Sequence, residues 1–193
     1  MKSIGYRIVA ALLAIVGAGG ASAGVVEVIE QSASNGYVSA DHFRQTFVPS
    51  VSGYVTEVRL RPANGGGVGT LSLLDGAGDG TVLGTESVTW VDGSYQAVAF
   101  TSPVPVTAGL TYTIAPTGTP LRRSSFASDP YPDGEIWFQR LDLGGVWQGW
   151  TDCIADGVCS DAPHDLAFRV QIEDTPPVAN QMQSWSTLKT QYR

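Results

Sequence analysis

Short segments in which apolar and polar residues alternate recur along the chain, between clusters of Gly, Pro, Asn and Asp. In one of them, Tyr54, Val58 and Leu60 fall on one face and Glu57 and Arg59 on the other. Because successive side chains of a β-strand point to opposite faces, this period of two predicts half-buried strands. About nine segments qualify, at residues 25–30, 43–48, 54–60, 68–74, 81–89, 95–100, 111–115, 136–141 and 165–172.

Turn residues interrupt these segments about every ten positions, a spacing typical of all-β sandwiches and barrels. We therefore predict an all-β fold, a jelly-roll-like antiparallel β-sandwich of about eight to nine strands. An immunoglobulin-type sandwich is less favoured, because its two cysteines join different sheets, whereas Cys153 and Cys159 lie in one loop of this chain.

The first 23 residues have the pattern of a secretory signal peptide. Lys2 and Arg7 precede an uncharged apolar stretch at residues 8–20, and Ala21-Ser22-Ala23 offers a cleavage site. A membrane anchor is the alternative, but the apolar stretch is shorter than the roughly 20 residues that a spanning helix needs. We expect secretion to the extracellular space or cell surface, with the periplasm as the other candidate compartment, and no membrane span after cleavage.

The mature chain divides into a β-sandwich domain at residues 24–174 and a linker and tail at residues 175–193. Two prolines near the start of this last segment end the strand pattern. Trp185, Leu188 and Tyr192 then follow at helix-like spacing. The tail is predicted to be short and either helical or flexible. It is either a frayed terminal helix or an attachment segment that docks on another surface.

Charge and composition exclude two classes of protein. The 193 residues carry 11 Lys+Arg against 18 Asp+Glu, a formal net charge of −7. An acidic chain is poorly suited to nucleic acid, since phosphate contacts need Lys and Arg. A hydrophobic content of 43% is too high for a disordered chain.

The two cysteines, Cys153 and Cys159, flank an Asp156-Gly157 turn signal. In an oxidising compartment they are expected to form one local disulfide that stiffens the loop. A redox function is disfavoured, because their spacing differs from Cys-x-x-Cys.

Several stretches in this order resemble a known group of proteins. They are residues 43–47 (FRQTF), 52–60 (SGYVTEVRL), 80–84 (GTVLG), 104–114 (VPVTAGLTYTI), 129–134 (DPYPDG) and 165–169 (DLAFR). The group comprises bacterial secreted β-sandwich modules of jelly-roll type that are similar to carbohydrate-binding domains. The resemblance covers about residues 41–173. It implies a binding or structural unit with no catalytic residue.

The sequence offers little chemistry for hydrolysis. Only His42 and His164 are available to a catalytic triad, and no Gly-x-Ser-x-Gly motif is present. The glutamates fall mostly on the outward positions of predicted strands, where a solvated role is expected. The chain is therefore predicted not to be an enzyme.

Calcium is the candidate ion, and no other cofactor is expected. Asp residues crowd the disulfide loop and the start of the last strand, and Asp161 and Asp165 are the best pair of ligands. Asp75 and Asp79 in a Gly-rich loop give a weaker signal. The alternative is that these residues form turns by bonding to nearby backbone.

The best candidate for a sugar site is a group of aromatic residues. Trp147 and Trp150 lie in a predicted Gly-flanked loop, and with Tyr131 they form the expected stacking platform. Asp129 and Asp133 are the expected polar partners. In the strand before this loop, one of Trp137 and Phe138 must face away from the core. The alternative is that the loop tryptophans form a minor core over the end of the sandwich.

The leading hypothesis is a secreted, non-catalytic β-sandwich module for binding or surface attachment. Its expected partner is an extracellular glycan or surface polymer. The alternative is a structural subunit of an extracellular fibre, matrix or surface layer, which assembles with itself or with other surface proteins through sheet edges or the tail.

Overall fold

The computed structural model describes residues 24–63, 66–125, 131–159 and 164–174. The predicted signal peptide at residues 1–23 and the predicted linker and tail at residues 175–193 lie outside the described residues. Across the described ranges, no helix has the length and apolar character needed to cross a membrane.

Thirteen strands and one short α-helix make up the described part of the chain. The strands are β1 (Val25–Gln31), β2 (Gly36–Ser39), β3 (Phe43–Phe47), β4 (Gly53–Leu60), β5 (Gly67–Asp75), β6 (Val82–Trp90), β7 (Gln96–Val106), β8 (Tyr112–Pro116), β9 (Pro120–Ser125), β10 (Ile136–Arg140), β11 (Val146–Gly149), β12 (His164–Leu166) and β13 (Phe168–Glu173). The helix α1 is Trp150–Ala155, and 3-10 turns occur at Ala40–His42 and Leu141–Leu143.

The strands form three antiparallel sheets. The first has the order β1-β13-β4-β7, the second β11-β10-β3-β8-β5-β6, and the third β12-β9-β2. Neighbouring strands pair antiparallel throughout. The all-β prediction is confirmed. The jelly-roll topology stays a prediction.

One apolar core lies between the four-stranded and six-stranded sheets. In β13, Phe168, Val170 and Ile172 are fully buried, and Arg169 and Gln171 between them are not. This is the alternation that the sequence predicts, and each sheet presents one apolar face to the other. The six-stranded sheet contributes Phe47, Leu71, Leu73, Val88, Trp90, Tyr112, Ile114 and Ile136.

The strand number exceeds the predicted eight to nine because several strands are short and polar. Strand β9 has the sequence PLRRSS, and β12 has only three residues. Neither contains a run of alternating apolar residues.

The predicted loop around Trp147 and Trp150 also differs from the structure. Trp147 lies in β11, and Trp150 is the first residue of α1.

The predicted disulfide is confirmed. The sulfur atoms of Cys153 and Cys159 are 2.04 Å apart. Cys153 belongs to α1 and is fully buried, and Cys159 follows the turn at Gly157, whose φ is 70°. The bond therefore ties the end of α1 to the segment that leaves it.

Candidate functional site

A cleft of about 360 Å³ opens where the start of β10 meets the first turn of α1. Two tryptophan rings line it together with two acidic residues and three hydroxyl side chains. They are Trp137, Trp150, Asp133, Glu135, Thr46, Thr111 and Thr151.

The register of β10 places Trp137 on the outer face of the six-stranded sheet. Its neighbour Ile136 is fully buried in the core, so Trp137 points to the opposite side. Across the strand pair, Trp137 lies opposite Gly149 of β11. Because glycine has no side chain, nothing from that position covers the indole ring.

The loop between β5 and β6 (residues 76–81) holds the other side of Trp137. Gly78 has a φ of 69°, and a Cβ built there would lie 2.1 Å from the indole ring. Only glycine allows this approach. The guanidinium of Arg44 donates to the Gly78 carbonyl and to the Asp79 carboxylate, the latter at 3.3 Å. The indole Nε1 is buried and has no hydrogen-bond partner among the described residues.

Glu135 connects the cleft to the helix. Gly149 occupies the N-cap position of α1 and has no side chain to cap the free backbone N–H groups. Instead, the backbone N–H of Thr151 donates to Oε2 of Glu135 at 3.0 Å. The backbone N–H of Glu135 donates to Oγ1 of Thr46 at 2.8 Å. These bonds fix a carboxylate, a hydroxyl and the first turn of α1 around one opening.

Trp150 is held by two rings. Its centroid is 5.6 Å from that of Phe138 and 4.1 Å from that of His164, both in edge-to-face geometry. His164 is buried and also contacts the guanidinium of Arg123 through Nδ1. Burial lowers the pKa of Arg123. Because Phe138 and His164 hold its ring, Trp150 lines the cleft from a fixed position.

The structure brings two of the predicted sugar-site residues, Trp150 and Asp133, into the cleft. Trp147 lies outside the lining of this cleft, and the Arg44 guanidinium carbon is 3.7 Å from the centroid of its ring. This is a cation–π contact, and it covers one face of the indole. Burial lowers the pKa of Arg44, and the ion pair with Asp79 partly offsets that effect.

Tyr131 belongs to the core, with 9% of its surface exposed. Its ring packs edge-on against Phe168 at 5.2 Å, and its hydroxyl accepts the backbone N–H of Val48 at 3.3 Å. Burial raises the pKa of Tyr131 to about 12. In this position the ring has no open face for stacking. Asp129, its predicted partner, lies outside the described residues.

Asp165 is fully buried and is held by protein groups. Oδ1 accepts the side-chain amide of Gln45 at 2.8 Å, and Oδ2 accepts the backbone N–H of Tyr131 at 3.2 Å. Asp161 lies outside the described residues. In the part of the chain that is described, no group of three or more His, Cys, Asp and Glu residues is placed to hold a metal. Calcium at Asp161 and Asp165 stays a prediction.

The sequence pattern missed Thr46, Glu135 and Thr151, and it left the orientation of Trp137 open. The available signal for Trp137 was the alternation with Ile136, an aliphatic residue that suits the core. No local signal marks Glu135, because its role depends on a helix that starts fifteen residues later.

The sequence matches no model of a known protein family. It also has no significant similarity to any curated protein.

Proposed function

We propose that this protein is a secreted, non-catalytic β-sandwich module that binds carbohydrate in the cleft between Trp137 and Trp150. The observation that carries the proposal is the presence of two indole rings, two carboxylates and three hydroxyls around one opening. Sugar rings present apolar C–H faces, which stack on indoles, and hydroxyls, which bond to carboxylate and hydroxyl oxygens. The proposal includes a jelly-roll topology and a relationship to secreted carbohydrate-binding modules.

The size and rigidity of the cleft support a binding role. Its volume of about 360 Å³ is at the lower end of the range for small-molecule sites, which suits a short saccharide segment or chain end. Trp150 is fixed by Phe138 and His164, and Glu135 is fixed by α1. A site whose side chains are already ordered loses less entropy when a ligand binds.

The disulfide between Cys153 and Cys159 supports secretion, since such bonds persist in oxidising compartments. The signal-peptide pattern at residues 1–23 supports the same location.

A glycan array tests the proposal, using the purified chain without residues 1–23. Trp137→Ala is expected to weaken binding about tenfold, because it removes a stacking surface worth roughly 1–1.5 kcal/mol. Trp147→Ala is the matched control, since it removes the same side chain from the neighbouring strand outside the cleft lining. Circular dichroism of each variant checks the fold. Parallel arrays with calcium and with a chelator test the predicted ion.

Two outcomes would contradict the proposal. Absence of binding to every glycan would overturn the function. Binding that is lost in Trp147→Ala and retained in Trp137→Ala would place the site at the Trp147–Arg44 stack.

A structural role is the second candidate, and β1 is the observation that favours it. Among the described strands, β1 pairs only with β13 and so forms an edge of its sheet. Val26 and Val28 on this strand are 45% and 41% exposed. An apolar edge strand can pair with the edge of another copy. Analytical ultracentrifugation tests this role, since Val28→Lys would lower self-association if β1 mediates it.

A further inference from the structure

The charged residues that line the cleft are acidic. Asp133 and Glu135 line it, and none of the described lining residues is Lys or Arg. His164 is the one other titratable side chain in the lining, and it is 5% exposed and in contact with Arg123. Arg44, the cation beside Trp147, is already bonded to Gly78 and Asp79. A ligand in the cleft therefore meets carboxylates with no mobile cation to neutralise them.

The two carboxylates retain capacity to accept hydrogen bonds. Oε2 of Glu135 accepts the N–H of Thr151, and Oε1 has no hydrogen-bond partner among the described residues. Asp133 is exposed at the rim of the cleft. Ionised carboxylates are acceptors only, so they favour a ligand that donates. A charged donor forms a shorter and roughly twice as strong hydrogen bond as a neutral one.

The indole rings favour the same kind of ligand. The face of an indole ring attracts a cation that lies within about 6 Å of its centre, and the gain is greatest when the cation is desolvated. Trp137 and Trp150 both line the cleft with the two carboxylates. Together these groups suit a ligand that has an apolar ring face and a positive charge.

We propose that the ligand of this cleft is a saccharide that carries a protonated amino group, such as an oligomer of glucosamine. This inference rests on the proposed function and narrows it. A neutral saccharide lacks the charge that Asp133 and Glu135 select, and an acidic saccharide is repelled by them. The net charge of −7 acts in the same direction, because it repels polyanions at longer range.

Isothermal titration calorimetry with three oligosaccharides of equal length tests the proposal. The probes are a glucosamine oligomer, its fully N-acetylated counterpart and a galacturonic acid oligomer, in mildly acidic buffer at moderate salt. The glucosamine oligomer is expected to bind at least tenfold more tightly than the N-acetylated oligomer. The galacturonic acid oligomer is expected not to bind.

Charge-neutral variants of the cleft locate the source of this preference. The double variant Asp133→Asn/Glu135→Gln keeps the shape of both side chains and the acceptor for Thr151. It is expected to reduce the preference for the amine to less than threefold while the N-acetylated oligomer still binds. Asp92→Asn is the control, because Asp92 is exposed in the turn between β6 and β7.

The outcomes separate this inference from the proposed function. Equal binding of the amine and N-acetylated oligomers would overturn the inference and leave carbohydrate binding intact. A preference for the amine that Asp92→Asn lowers as much as the double variant would also overturn it, because the attraction would then come from net charge. Failure of all three oligomers and of the glycan array would overturn the proposed function itself.

Discussion

Trp90 and Trp137 belong to the same six-stranded sheet but lie in different surroundings. Trp90 is 1% exposed in the core, and its Nε1 donates to the Thr117 carbonyl at 2.7 Å. Trp137 lies on the outer face, where its ring lines the cleft. Its Nε1 has no hydrogen-bond partner among the described residues.

The two tryptophans therefore differ in role: Trp90 stabilises the fold, and Trp137 offers surface to a ligand. Trp90 combines full burial with a satisfied indole N–H, so its ring contributes to stability without leaving a buried polar atom unpaired. Trp137 leaves part of its ring toward an opening and one polar atom unpaired. A side chain in that state contributes less to folding and retains surface for a ligand.

Replacing each tryptophan in turn with phenylalanine is expected to change the free energy of unfolding most, and by different amounts. Trp90→Phe is expected to lower the free energy of unfolding by about 2–3 kcal/mol, because it leaves the Thr117 carbonyl without its donor and opens space in the core. Trp137→Phe is expected to cost less than about 1 kcal/mol, since the N–H it removes has no partner. Urea unfolding measures both values.

Equal losses in the two variants would contradict this comparison. So would a larger loss for Trp137→Phe, because Trp137 would then be a structural residue rather than part of a binding surface.

The disulfide gives the next largest effect. The double variant Cys153→Ala/Cys159→Ala is expected to lose about 2 kcal/mol of stability, the value for closing a loop of this size. Because α1 carries Trp150 and Thr151, the same variant should bind saccharide more weakly. Reducing the wild-type protein should reproduce both changes. Unchanged binding after reduction would show that the disulfide is not needed to position α1.

The carboxylate cap on α1 gives a smaller effect. Glu135→Ala removes the acceptor of the Thr151 N–H and is expected to cost about 1 kcal/mol. Glu135→Gln keeps an oxygen at that place and should cost less than half as much. Thermal unfolding followed by circular dichroism measures both variants. Equal losses would mean that the charge of Glu135, and not its hydrogen bond, stabilises the helix.

The last effect is absent at neutral pH and appears only in alkaline solution. Burial raises the pKa of Tyr131 from an ordinary value of 10.0 to about 12, so the fold favours the neutral phenol. This stabilisation is complete below pH 10.0 and is lost as the pH rises through about 12. Tyr131→Phe should flatten the fall in unfolding free energy over this window. Tyr37→Phe, at an exposed side chain, should not change it.

The sequence predicted the fold where the pattern is local. The alternation in β4 and β13 is visible in the residues themselves, and so is the turn that closes the disulfide. The polar strand β9 was missed because its pairing with β2 and β12 depends on distant partners. The six residues of α1 are too few to show a helical period.

The candidate site was only partly predictable for the same reason. Trp150 and Asp133 were expected at a sugar site, and the cleft contains both. The ring of Tyr131 packs against Phe168, a residue of β13 that lies 37 positions further along the chain. No local pattern reveals this contact. The contact of Arg44 with Trp147 likewise joins residues from β3 and β11.

Chemical-shift mapping of the indole N–H groups tests whether saccharide binds between Trp137 and Trp150. The chain has five tryptophans, so its spectrum should contain five indole signals, each assigned by single Trp→Phe variants. On titration with a glucosamine oligomer, the signals of Trp137 and Trp150 are predicted to shift, while that of Trp90 stays fixed. A shift of Trp147 alone, or no shift of Trp137 and Trp150 at saturating oligomer, would contradict binding in the cleft.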